Sequence, residues 1–172
     1  MASIENTSLI DRAGQPITIR TAQPNDAEAL LTYIRSIAEG TEYFVIEPDE
    51  FPATVDEEQV YIQDHLDEPG KIILLAETDN RIIGNITFEA GIFRRTAHRG
   101  GLGIGVAEAY RGRGIGEALM QTLLDWATSI TSIEKVTLDV FADNARAIGL
   151  YKKLGFVEEG RRIKDIKRGV EY

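Results

Sequence analysis

The sequence predicts an α+β domain built on one mixed sheet, and three observations predict it. Strand-type and helix-type runs follow one another in the order β α α β β β α β α β, with no internal repeat and no linker. The glycine-rich run "HRGGLGIGVA" at 98–107 keeps its bulky members Leu102, Ile104 and Val106 in strict alternation. Directly after it, "YRGRGIG" at 110–116 sets three glycines and two arginines ahead of an amphipathic helix.

Each element has its own signal. Residues 1–15 are polar and irregular and read as a loose leader, so 1–16 is expected to be flexible and the single domain to span 17–172. "ITIR" at 17–20 alternates as a strand does, and 24–39 then places Ala27, Leu30, Leu31, Ile34 and Ile37 at helical spacing behind the cap candidates Asn25 and Asp26. The stretch from Gly40 holds two prolines and scattered aromatics, which predicts a loop and then a short acidic helix from about Val55 to Leu66. "KIILLAE" and "RIIGNITFEAG", parted by "TDN", predict a hairpin. The run at 98–107 is the next strand, with glycines on one face where a ligand or another backbone comes close. Ile115, Leu119, Leu123, Trp126 and Ile130 mark the following helix, and "KVTLDVF" at 135–141 alternates as a strand. Residues 144–156 predict a helix capped by Asn144 and ended by Gly155. The remaining stretch predicts a strand, a turn at Arg168 and Gly169, and the start of another strand.

Composition narrows the chemistry. The chain has 172 residues, 43% of them hydrophobic and 27% charged, the balance of an ordinary soluble globular protein. The absence of cysteine excludes disulfides, thiolate metal sites and a cysteine nucleophile. With no signal-type leader and no apolar run of membrane-spanning length, a cytoplasmic protein is expected. A net charge of −9 argues against nucleic acid as a partner. That charge is concentrated: residues 36–70 carry eleven of the 28 acids and none of the 19 Lys and Arg.

At a helix start the first backbone N–H groups lack acceptors and the macrodipole is positive. Gly112, Gly114 and Gly116 clear the approach to such groups while Arg111 and Arg113 add charge, which suits a pyrophosphate. The letters do not fit a P-loop, because Gly116 is followed by Glu117, and no start among them gives G-x-G-x-x-G. A tight strand-to-helix turn would use the same glycines without any ligand.

"RGRGIG" resembles the Arg/Gln-x-x-Gly-x-Gly/Ala motif of the GNAT N-acetyltransferases, and "DNARAIGLYKKLGF" is similar to that family's Asn-x-x-Ala-x-x-Leu-Tyr-x-x-x-Gly-Phe segment. The likeness runs from about Ile17 to Tyr172 and is nearest to the amino-acid and phosphinothricin type, which "F-x-x-E-P" at 44–48 also resembles. It implies a three-layer α/β/α fold whose mostly antiparallel sheet has two splayed parallel strands and about four helices. It implies acetyl-CoA as cosubstrate, with the pantetheine paired to Ile104 and Val106 and the pyrophosphate on Arg111, Gly112, Arg113, Gly114, Ile115 and Gly116. Asn144 and Lys153, with Lys152 beside it, are further contacts by the same resemblance, and no metal is implied.

The implied reaction is direct attack of a primary amine on the thioester. The Val106 N–H polarises the carbonyl. Tyr151 matches the tyrosine that protonates the leaving thiolate, a transfer from a group of pKa about 10 to one of about 8.5 that requires close contact. Glu89 is the candidate base acting through water, with Glu42, Glu108 and His98 as alternatives. Glu42 and Tyr43 are expected at the acceptor, whose acidic wall suits a cationic amine; the same acids would equally solvate a helix. A small amine or amino acid is the expected acceptor and a homodimer the family-level expectation. A protein N-terminus as acceptor, or a CoA-binding sensor without catalysis, remains open, with a nucleotide enzyme behind both. Family members continue past a "G-x-Y" such as 169–172 into a full last strand, so a site or dimer interface lacking that strand would be incomplete.

Overall fold

The computed structural model describes residues 2–47, 50 and 54–170. Its sheet has six strands in the order β1-β2-β3-β4-β5-β6. The first, β1 (Thr7–Ile10), pairs antiparallel with β2 (Pro16–Thr21), so the stretch expected as a loose leader is largely built into the fold. Asp11 explains this: its carboxylate accepts the Ala13 and Gln15 N–H groups at 2.8 Å each and closes the hairpin turn. Ahead of the strand, Ala2 is buried and the Ile4 N–H donates to Thr21 Oγ1.

A 3-10 turn at Pro24–Asp26 leads into α1 (Ala27–Glu39), and α2 follows at Val55–Asp67. Next come β3 (Lys71–Thr78) and β4 (Arg81–Ala90), joined by Asp79 and Asn80, both at positive φ as a tight hairpin turn requires. Then β5 (Arg99–Val106), α3 (Ile115–Ser129), β6 (Lys135–Thr137) and α4 (Ala145–Lys153) complete the order.

Every pairing is antiparallel except β5 with β6. Alternation along the strands gives the sheet two apolar faces, and each is covered. Ile17, Ile19, Ile72, Leu74, Ile86 and Phe88 pack on Ile115, Leu119, Leu123 and Trp126 of α3. On the other face, Ile73 and Leu75 pack on Leu30, Tyr33 and Ile37 of α1 and Ile62 and Leu66 of α2. The result is the expected three-layer α+β arrangement.

Two strand expectations are corrected. The run 135–141 pairs only over Lys135–Thr137, because its parallel partner is engaged only at Arg99–Gly101. The closing stretch 156–170 contains an isolated bridge at Arg168 and no strand. Its apolar Val157 and Ile163 are 79% and 86% exposed, and side-chain ion pairs such as Lys135–Glu159 and Arg162–Asp139 hold it instead of a ladder. Pro48, Glu171 and Tyr172, which take part in the sequence motifs above, lie outside the described residues.

Candidate functional site

β5 faces two compartments. The Arg99 carbonyl and the Ala107 N–H both bond toward β4, so the odd-numbered residues of β5 address that strand. The even-numbered residues, Leu102, Ile104 and Val106, therefore turn their N–H and C=O groups to the opposite edge. That edge has lost its partner beyond Gly101↔Thr137. On it, the Val106 carbonyl accepts the Arg111 Nε–H at 3.1 Å, which leaves the Val106 N–H for another acceptor.

The glycine loop follows. Gly112 and Gly114 sit at φ +83° and +91°, conformations that side chains resist, and Gly114 caps α3 without offering a side-chain acceptor. The helix thus presents its first N–H groups beside the free edge of β5. A Cβ at Gly116 would lie 3.7 Å from Val106 and 3.6 Å from Leu150, so the loop, β5 and α4 meet at this point. The arginine side chains are otherwise engaged than expected. Arg111 holds Val106, while Arg113 binds Asp11 and Gln15 and stacks on Tyr110. Lys153 pairs with Glu117 in the first turn of α3. Both arginines of the loop are thus engaged within the protein, while the Arg146 guanidinium lies 3.5 Å from where a Cβ at Gly112 would stand.

On the other face of β5 a cavity of about 580 Å³ opens. Asn85 and Thr87 of β4 with Gly103 and Gly105 of β5 form its floor, and Leu30, Ile34, Ile37, Phe44, Glu57, Glu58 and Tyr61 line its walls. A Cβ at Gly103 would meet nothing within 4 Å, so this glycine keeps the cavity open. At Gly105 a Cβ would come within 2.8 Å of Ile37 and 3.3 Å of Tyr33 Oη, so that glycine lets α1 approach. Burial raises the Tyr33 phenol well above its ordinary range.

Glu89 shares the floor's face of β4, two residues beyond Thr87, and its side chain is half exposed. Its carboxylate accepts the Tyr61 hydroxyl at 3.0 Å. Burial first, and then Glu89, raise the Tyr61 pKa beyond the usual phenol range. Behind them lies His65, 2% exposed, with its ring centroid 4.3 Å from that of Tyr61. His65 Nδ1 is 2.8 Å from the Tyr61 carbonyl, which can only accept, so Nδ1 carries the hydrogen. Nε2 is buried without a hydrogen bond and faces Glu89 Oε1 at 3.3 Å, a contact that is attractive only with a proton between the two atoms.

Sequence reasoning missed Tyr61, His65 and Glu58. The signal was present, because 58, 62, 65 and 66 form one helical stripe in which Glu58 and His65 stand at core positions. Tyr151, on α4, packs edge to face on Phe156, and burial raises its pKa. Asn144 caps α4 by accepting the Ala147 N–H. Glu42 and Tyr43 do not line the cavity: Arg168 pairs with Glu42 and stacks on Tyr43 and Phe141. Glu108 does not line it either, and His98 is exposed, its carbonyl accepting from Glu134 and Lys135. Among the described residues there is no cluster of three or more His, Asp or Glu fit for a metal, and no helix long and apolar enough to cross a membrane.

The profile of the acetyltransferase (GNAT) family matches residues 34–156. The L-amino acid N-acetyltransferase AaaT of Escherichia coli K12 is 35% identical over 106 residues, which are 62% of this chain and 65% of that protein, just short of two thirds of its length. An N-alpha-acetyltransferase of Sulfurisphaera tokodaii is 30% identical over 155 residues, 86% of this chain and 84% of that one. The crystal structure of a GNAT-family acetyltransferase from Streptococcus pneumoniae superposes with a TM-score of 0.82 at 28% identity, covering 84% of this chain and 86% of that one.

Proposed function

The chain belongs to the acetyltransferase (GNAT) family, and from that premise we propose that it moves the acetyl group of acetyl-CoA directly onto a primary amine held in the cavity between α1, α2 and β5. One observation carries this reading: β5 borders both compartments, with free main-chain groups on its unpaired edge and glycines lining the cavity. Donor and acceptor would meet across a single strand.

The residues fit acetyl-CoA. The uncapped N-terminus of α3, cleared by Gly112, Gly114 and Gly116, would hold the pyrophosphate, and Ile104 and Val106 would pair with the pantetheine as an added strand. Acetyl-CoA supplies the thioester; the protein's part is to orient and to handle protons. The Val106 N–H would donate to the acyl oxygen. As the amine nitrogen bonds to the carbonyl carbon and the C–S bond breaks, the Tyr151 phenol gives its proton to the sulfur. The proton shed by the amine would leave through water toward Glu89, which stands opposite Gly101, five residues along β5 from Val106, with Tyr61 and His65 holding that carboxylate; solvent would restore both groups. Burial keeps Tyr151 protonated, as a donor must be.

The names of the E. coli and Sulfurisphaera relatives describe amino-acid and N-alpha acceptors, which supports an amine small enough to enter the cavity or one at a peptide end. The test is thiol release from acetyl-CoA with a panel of amines, which the absence of cysteine leaves free of protein background. Amine-dependent release is expected. Binding of acetyl-CoA with no release for any amine would make the chain a CoA-binding module instead.

A further inference from the structure

Of the acids that crowd residues 36–70, nearly all those described face solvent, but Glu58 is 6% exposed. Its neighbours are accounted for. Glu57 closes a capping box with Thr54, and Asp64 pairs with Lys71. The Glu58 carboxylate has no hydrogen-bond or ion-pair partner among the described residues, although it borders the cavity. A carboxylate left so little solvent, and that only through an apolar cavity, is stabilised when a cation meets it. Burial accordingly raises its pKa.

The rest of the cavity limits what that cation is attached to. Leu30, Ile34, Ile37, Phe44, Ile73 and Ile104 make the lining mainly apolar. No Lys or Arg lines it, and the chain has none from residue 36 to 70. Arg111, whose charge acts on Tyr33 at the cofactor end, is held by the Val106 carbonyl. A free amino acid would thus bring its carboxylate beside Glu58 with no counter-charge.

Resting on the acetyl-transfer reading, we infer that Glu58 receives the nitrogen end of the acceptor, which arrives as an ammonium and sheds its extra proton to solvent before it attacks, and that the acceptor is an apolar primary amine without a free carboxylate. An alkylamine, an amino-acid amide and the N-terminus of a peptide with an apolar first residue share this chemistry.

The test compares kcat/KM for leucine, leucinamide, isoamylamine and a leucyl dipeptide amide in the wild type and in Glu58→Gln, a substitution of nearly equal volume. The three carboxylate-free amines are expected to exceed leucine by roughly tenfold or more, the order of one poorly screened like-charge contact. Glu58→Gln should narrow that ratio. A ranking with the dipeptide first points to a peptide end, and isoamylamine or leucinamide first to a small amine. Leucine equal to or better than its amide in the wild type overturns the inference while leaving acetyl transfer standing, as does an unchanged ratio in Glu58→Gln. Should that variant not fold, the wild-type ratio still decides. Acetyl-CoA binding without release for any amine overturns both readings.

Discussion

The alternating glycines of β5 separate a core role from a site role within one strand. A Cβ at Gly100 would fall 2.2 Å from Phe88 Cζ and 2.5 Å from the Glu89 carbonyl, and Phe88 is fully buried. Backbone cannot yield there, so Gly100→Ala should cost about 1–3 kcal/mol. For a chain of this size that lowers Tm by roughly 2–12 °C. At Gly103 the added carbon meets nothing within 4 Å and enters the cavity. Gly103→Ala should gain about 0.5–1 kcal/mol from lost backbone freedom, a rise of roughly 1–4 °C. Gly103→Val fills the cavity further and should raise KM for the amine while leaving KM for acetyl-CoA unchanged. Thermal melting by circular dichroism gives the first pair of numbers, and steady-state thiol release gives the second. Equal destabilisation at both positions would refute the two-faced reading of β5. So would a Gly103→Val whose defect is in acetyl-CoA.

Three further outcomes follow from the same geometry. Tyr151→Phe should lower kcat by about 10²-fold or more with little change in KM for acetyl-CoA; an unchanged kcat removes Tyr151 as the proton donor. His65→Phe keeps a buried ring beside Tyr61 but removes Nε2. Its loss of kcat and that of Glu89→Gln should fail to multiply in the double variant, whereas fully multiplying losses would show that the two residues act separately. Burial alone would raise the Asp26 pKa, yet the Arg20 guanidinium and the Gln23 N–H outweigh it and hold the carboxyl below its ordinary range. A lowered folded-state pKa stabilises above the carboxylate range and is lost as pH falls through it, so the stability gap between wild type and Asp26→Asn should close in acid. Urea midpoints measured from neutral to acid pH check this, and a gap constant with pH would contradict it.

What could be read in the sequence was what local pattern encodes. The period of α3, the caps at Asn144 and Gly155 and the two faces of β5 depend on residues a few positions apart, and each stands as expected. Pairing is not local. "TSLI" carries a weak strand signal, yet the Asp11 turn brings it onto β2, while the stretch around Val157 and Ile163, expected as a strand, finds no strand to pair with. The same limit hid the partners of Glu89. Tyr61 and His65 acquire meaning only because α2 packs over Glu89, and that contact spans 28 residues between Tyr61 and Glu89. Conversely, Glu42 and Tyr43 lie next to Phe44 in sequence but turn away to Arg168.

The proposed meeting of donor and acceptor across β5 is tested most directly by calorimetry with a compound that joins CoA covalently to the best amine acceptor. The wild type should bind this compound more tightly than CoA alone, and Gly103→Val should lose that increment while keeping its affinity for CoA. Equal affinity for CoA and the joined compound in the wild type, or an increment untouched by Gly103→Val, would contradict the placement of the acceptor in this cavity.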